Sequence, residues 1–419
     1  MIGSEFRIKT KYSYEDFFIL LMILVWTRLI LVSYVYQTFC LIPGLSSVAN
    51  ILKISVYVIA VLGALQYLIS KIRLLDIIVY LFIVIAYIIN QDVFPRTAEY
   101  LQLNMVEILF ISIPAYFVGL GMVKREYINI LFKWSKISLI AIVLHFMVFG
   151  LQSDTTGSLA EDMSLAYRLI PHLCLIAVYT FNEHKKSNWL YLIVGCFILL
   201  ACGTRGAVLC FAVMCFACYL MSGFTRNKLI ITTIGLTLLL FLYFNFSSFI
   251  MLIANFLQQF GLSTRIADAL LLGNFTNDNG RFEIAEFMFQ LVKDNNWKGF
   301  GIAGDRGWIP WMAYSHNIAI ELIVSYGLLV GIILFIVILF IIARSFSIAD
   351  FKQKCFIIAM IFGGGFFKLF LSSSYLLEFQ FFMLLGYSVN IIRNRRNNIE
   401  KEQYGVEPCW ENDEDCIRN

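Results

Sequence analysis

What most limits the fold of this chain is a succession of apolar runs, each about as long as a bilayer is thick, divided by short polar connections. A helix needs roughly 20 mostly apolar residues to cross a membrane. Inside hydrocarbon its backbone amides must be satisfied within the segment, which favours helices over open sheet. Composition agrees. Of 419 residues, 60% are hydrophobic and 14% charged, and mean hydropathy is +0.79, whereas soluble domains carry about 25% charged residues. The expected fold is an all-α polytopic membrane protein, with spans near 16–38, 48–70, 74–90, 104–122, 130–150, 165–182, 188–203, 206–222, 228–247, 317–343, 354–371 and 374–392. The first run is too long for the core of a cleaved leader, so it reads as a retained span.

Basic residues recur in every second connection. They are Arg7, Lys9 and Lys11; Lys71 and Arg73; Lys124, Arg125, Lys133 and Lys136; Lys185 and Lys186; Arg226 and Lys228; Arg344, Lys352 and Lys354; and Arg393, Arg395 and Arg396. Cytoplasmic loops carry such an excess. The alternation calls for an even number of spans with both termini cytoplasmic, hence about twelve transmembrane helices. The chain then divides into a cytoplasmic N-terminus (1–15), helices one to nine (16–247), one large outer loop with short helices (248–316), helices ten to twelve (317–392) and a cytoplasmic tail (393–419) that reads as disordered from Asn397.

Within the outer loop, Thr276-Asn277-Asp278-Asn279-Gly280 is a turn cluster suited to opening a helix. The helix is expected from Arg281 to Lys293, with Phe282, Ala285, Phe289 and Val292 at helical spacing and Glu283 and Glu286 on the other side. Asn295 and Asn296 end it, and Gly299, Gly301 and Gly304 read as a flexible turn region.

Ionisable groups near membrane depth are functional candidates because they are costly there. Arg205, in Cys202-Gly203-Thr204-Arg205-Gly206, lies at the outer end between two spans. Its planar fork suits phosphate oxygens; the alternative is a guanidinium snorkelling to the interface. Arg281 opens the loop helix, where its charge opposes the helix dipole and calls for an anion or a carboxylate such as Asp278. His316, where the loop re-enters the membrane, has an ordinary pKa near 6.5 and can exchange a proton at physiological pH; the alternative, the commoner one for a lone histidine at a span end, is a structural role.

Arg168 and Arg96 add positive charge outside. Lys368 is near enough to the outer face to snorkel, Arg28 is within or near the bilayer, and Asp305 and Arg306 read as a solvated pair. His145 and His172 read as satisfied by helix neighbours. The ten cysteines fall mostly inside apolar runs and read as small packing residues. Nothing resembles a P-loop, a dinucleotide fingerprint, a zinc-protease helix or a serine elbow. No metal, cofactor or nucleic-acid partner is expected, and an outer active site would need a pre-activated substrate.

Four features in order resemble the O-antigen polymerase and O-antigen ligase superfamily of bacterial envelope proteins. They are Thr204-Arg205-Gly206, Gly280-Arg281-Phe282-Glu283, Trp297-Lys298-Gly299-Phe300-Gly301, and Ser315-His316-Asn317-Ile318-Ala319-Ile320-Glu321-Leu322 followed by Tyr326-Gly327. The family often has proline before the loop glycines, where this chain has Asn295-Asn296-Trp297. The resemblance implies a glycosyltransferase of the inner membrane, its site facing the periplasm, acting on an undecaprenyl-diphosphate-linked oligosaccharide. It implies catalytic roles for His316, Arg281 and Arg205, with Arg205 and Arg281 on the diphosphate and Arg168, Asn317 and Glu321 also on the substrate side. A polysaccharide chain-length regulator is a conceivable partner beside the lipid bilayer. The His-Asn re-entry followed by Glu321 is more similar to polymerases than to ligases; the rival of a different class is a transporter or flippase, whose pseudo-symmetric halves are not visible here.

Overall fold

The computed structural model describes residues 13–27, 46–147, 159–183, 186–202, 204–221, 246–259, 264, 270–271, 280–308 and 314–403. Among them every regular element is helical. Six helices are long and apolar enough to cross a membrane: Ile54–Lys71, Leu74–Val93, Pro95–Gly121, Glu126–His145, Leu328–Ile348 and Phe351–Phe370. Leu165–Phe181, Ser187–Ala201 and Arg205–Met221 are shorter apolar helices. Most of the expected span 228–247 lies outside the described residues, as do Arg28, His184, Gly203 and Asp278.

In chain order, α1 is Tyr14–Trp26, α2 Ser46–Lys71, α3 Leu74–Val93, α4 Pro95–Met105, α5 Ala115–Gly121, α6 Glu126–His145, α7 Leu159–Glu183 and α8 Lys186–Ala201. Then follow α9 Arg205–Met221, α10 Phe246–Gln259, α11 Arg281–Asp294, α12 Ile318–Tyr326, α13 Leu328–Ile348, α14 Phe351–Met360 and α15 Phe379–Gln403. A π-helical stretch, Val106–Ser112, links α4 to α5.

Helix α15 packs on α5 and α13 and buries Phe381, Met383, Leu384 and Tyr387. Two glycines allow this approach. A Cβ on Gly386 would lie 1.9 Å from the Tyr116 carbonyl oxygen, and one on Gly119 would lie 2.2 Å from that of Met383. Lipid tails are as apolar as leucine, so close packing across small residues has to hold such helices together. The outer helices show the converse pattern, with Leu62 on α2, Phe82 on α3 and Leu329 and Phe340 on α13 exposed.

Polar contacts inside the bundle tie helices distant in sequence. Trp26 Nε1 donates to Ser135 Oγ at 2.8 Å, and His172 Nδ1 lies 3.2 Å from the same hydroxyl. His172 is therefore satisfied by packing on α1 and α6. Cys215 and Cys218 stand at Cys-x-x-Cys spacing on α9, both as free thiols. Basic residues from separate connections gather at one end of the bundle, where Arg393 pairs with Asp76 at 2.7 Å, Lys124 with Glu15 at 2.9 Å and Arg125 with Asp350 at 2.6 Å.

Three local expectations change. The run 317–343 is not one helix but two, α12 and α13, broken at Gly327, whose φ of 83° is open chiefly to glycine. Gly299, Gly301 and Gly304 are packed rather than flexible: a Cβ on Gly299 would lie 2.3 Å from the Ser325 carbonyl oxygen, and one on Gly301 2.4 Å from Asn90 Oδ1. The tail is helical through Gln403, so α15 runs past Asn397.

Gly386→Val forces a branched side chain into the α5 backbone. Overpacking of this kind costs about 1–3 kcal/mol, so the variant is expected to lose thermal stability and monodispersity in detergent. Phe340→Leu on the exposed face of α13 serves as the unaffected control.

Candidate active site

At the end of the bundle opposite the paired basic connections, four groups of described residues converge: the start of α9, residues 300–308 with 314–317, the α3–α4 connection and the stretch 366–378. The centre of this region is Arg306. It is 3% exposed, Asp305 2% and Glu321 1%, so the pair expected in solvent is in fact buried. Arg306 pairs with Asp305, and its Nη2 donates to Glu321 Oε1 at 2.8 Å and to Ser374 Oγ at 2.7 Å. Its guanidinium also lies over the ring of Tyr100, 4.8 Å from the centroid. Burial works against the cation, but Asp305 and Glu321 more than offset it and hold its pKa above the ordinary arginine value. A buried charge persists only when paired and hydrogen-bonded in this way.

The same carboxylates organise the backbone. Asp305 Oδ2 accepts from the Ser315 amide at 2.7 Å. Glu321 accepts from Ser374 Oγ, and from the Tyr375 amide at 3.2 Å. Asn317 caps α12, its Oδ1 accepting from the Ala319 amide at 3.0 Å. Glu321 and Asn317, expected on the substrate side, are thus engaged in holding the loop around His316.

His316 itself has φ 54°, a left-handed conformation that costs a non-glycine residue about 1–3 kcal/mol and persists only where its surroundings impose it. The Ser315 bond on one flank and the Asn317 cap on the other do so. Its ring lies 4.2 Å from that of Tyr314, and its Nδ1 is buried without a hydrogen-bond partner among the described residues. Burial, then the charges of Arg281 and Arg306, push its pKa down to about 4, with Asp305 acting the other way. The imidazole is neutral at pH 7 and able to take a proton.

Tyr167 on α7 links the remaining parts. The charge of Arg281 acts on it, and it hydrogen-bonds with Ser372. Its hydroxyl packs on the first turn of α9, where a Cβ on Gly206 would lie 2.3 Å from it. Arg281, the first residue of α11, and Arg205, the first of α9, each open a helix at this end of the bundle. Arg168 is half-buried at the next position on α7; no contact among the described residues draws it into the cluster. Arg96 stacks on Trp308, 3.7 Å from the ring centroid.

Lys368, expected to snorkel, is instead 5% exposed and paired with Glu378. Ser373 Oγ donates to the same carboxylate at 2.7 Å, and the Lys368 ammonium lies 5.1 Å from the centre of the Tyr167 ring. Three consecutive serines therefore have three tasks. Ser372 meets Tyr167 and accepts at its carbonyl from Tyr314 Oη at 2.9 Å, Ser373 serves the Lys368–Glu378 pair, and Ser374 serves the Arg306–Glu321 pair. Sequence reading missed this role because a lone lysine in an apolar run reads as snorkelling, and the run holds no record that Glu378, ten residues on, folds back to pair with it. The run Ser372-Ser373-Ser374 beside Lys368 and Glu378 was the available signal.

Truncating one partner of a buried pair leaves the other charge uncompensated, at a cost of about 3–5 kcal/mol. Arg306→Ala is expected to lower stability by that order, read as thermal unfolding in detergent, with Glu321→Gln milder because it keeps an acceptor. A second expectation concerns pH. Between about 6.5 and 4 the unfolded chain protonates His316 while the folded chain does not. Stability should fall as pH drops through that window, and less steeply in His316→Gln.

Residues 190–336 match the family model described as O-antigen ligase. That segment contains Arg205, Arg281, Arg306, His316 and Glu321 but ends before Lys368 and the serine run. No curated protein and no solved structure matches the chain. Residues 190–336 are thus similar to the O-antigen ligase family, and the match favours neither side of the division between polymerase and ligase.

Proposed function

We propose that this protein is a surface-polysaccharide polymerase of the bacterial inner membrane, joining undecaprenyl-diphosphate-linked repeat units at the periplasmic face without metal or nucleotide. The observation that carries the reading is a neutral His316 within the field of Arg281, on a loop pinned by the buried Arg306 pair. The acceptor hydroxyl gives its proton to His316 as its oxygen bonds to the anomeric carbon of the donor sugar. The bond from that carbon to the diphosphate breaks, and its electron pair leaves with the lipid diphosphate. Arg281 and Arg205 stabilise the charge that develops there, so no carboxylic acid is needed to protonate the leaving group, unlike glycoside hydrolysis.

Donor binding also primes the base. A diphosphate beside Arg281 offsets one of the charges that depress the imidazole, raising its affinity for the proton at the moment the acceptor is deprotonated. Glu321, Asn317 and Arg306 act as positioning residues, and a chain-length regulator is a further proposed partner.

A second reading, transfer of the glycan to lipid A–core, is favoured by the description of the matching family model. Deletion followed by a gel of surface polysaccharide separates the two. Lipopolysaccharide capped by single repeats supports the polymerase, whereas bare core with lipid-linked polymer accumulating supports the ligase. In either case Arg205→Lys and Arg281→Lys should lose most activity with the protein still inserted, because an ammonium lacks the planar fork. His316→Ala should be at least as severe; normal polymer length in any of the three removes that residue from the site.

A further inference from the structure

The exposed face of α11 carries aromatic rings as well as the charges Glu283, Glu286 and Lys293. The helix buries Met288 and Val292 and packs Ile284 and Leu291 against Val324 of α12. Phe282 and Phe289, one heptad apart, point outward at 74% and 45% exposure. Trp297, 41% exposed, extends the strip, its ring 5.5 Å from that of Phe289. Lys293 and Lys298 are exposed close to it in sequence.

The exposure of Trp297 is built into the backbone. Asn296 and Trp297 both have positive φ, 51° and 63°, a conformation that proline at either position could not adopt. The turn is held by the Trp297 amide donating to the Val292 carbonyl at 2.8 Å and the Lys298 amide donating to that of Asn295 at 3.1 Å.

The depth of the ring is set by a contact. The Trp297 carbonyl accepts from the amide of Leu328 at 3.1 Å, and Leu328 is the first residue of a helix long and apolar enough to cross the membrane. From there the exposed apolar surface continues along α13 through Leu329, Ile333, Ile336 and Phe340. Aromatic rings flanked by lysines are the side chains favoured at the level where hydrocarbon meets headgroups.

We propose that Phe282, Phe289 and Trp297 anchor α11 in the headgroup layer of the bilayer. The helix then lies on the membrane surface, and Arg281, next to Phe282, stands at the depth of a membrane-borne phosphate. The anchor requires only that α13 spans the membrane, not that the protein transfers glycans, so it can fail while the proposed reaction stands and the reverse.

The test uses the full chain in nanodiscs made from lipids brominated either near the headgroup or near the end of the acyl chain. Seven tryptophans are present, so the Trp297 signal is the difference between the parent and Trp297→Phe. The anchor predicts that this component is quenched more strongly by bromine near the headgroup than by deep bromine, and weakly by iodide in water. Strong iodide quenching with no response to bromine would overturn it, as would protection from both, which would mean that protein covers the face. If Trp297→Phe does not fold, Phe289→Trp compared with the parent reads the same depth and decides between the same outcomes.

Discussion

The buried guanidinium of Arg306 is the group on which the functional end of this molecule depends. A cation removed from water needs compensation close at hand, and here two carboxylates, a serine hydroxyl and an aromatic face supply it. Each of these comes from a different stretch of chain. Satisfying one charge therefore locks together the loop at 305–306, the re-entry at 314–317, helix α12 and the connection at 374–375. Breaking a buried pair of this sort is far more costly than never having formed it. The arrangement is better understood as specifying one geometry than as adding net stability.

That geometry serves His316. Its left-handed backbone is unfavourable alone, and it is imposed by Asp305 through Ser315 and by the Asn317 cap. The Arg306 charge that holds the loop also helps keep the imidazole neutral. One buried cation thus contributes both to the position of the ring and to its protonation state, and the charge of Arg281 acts on the ring in the same direction. The serine run 372–374 connects this knot to the Lys368–Glu378 pair and to Tyr167, so the α9 turn bearing Arg205 rests on the same framework.

Much of the α11 region was legible in sequence, though not which side faced inward. The turn residues and spacing placed the helix within a residue of where it lies, from Arg281 to Asp294. Periodicity linked Phe282, Phe289 and Val292, yet only Val292 is buried, because the surface that α12 offers matches Ile284, Met288 and Leu291 instead. The glycines of 299–304 showed a similar ambiguity. Glycine marks both mobile turns and close backbone approach, and Gly299 against Ser325 is the latter.

By itself the sequence determined an all-helical membrane chain, the position of most helices and the three residues Arg205, Arg281 and His316 worth singling out. Run length, hydropathy and cap chemistry are local properties, and they carry that information. Only the tertiary structure decided which charges are solvated and which are buried, that Glu321 and Asn317 support the loop, and that Lys368, Glu378 and three serines belong to the same construction. Burial and pairing are set by groups brought together from segments far apart in the chain, and a linear pattern holds no record of that distance.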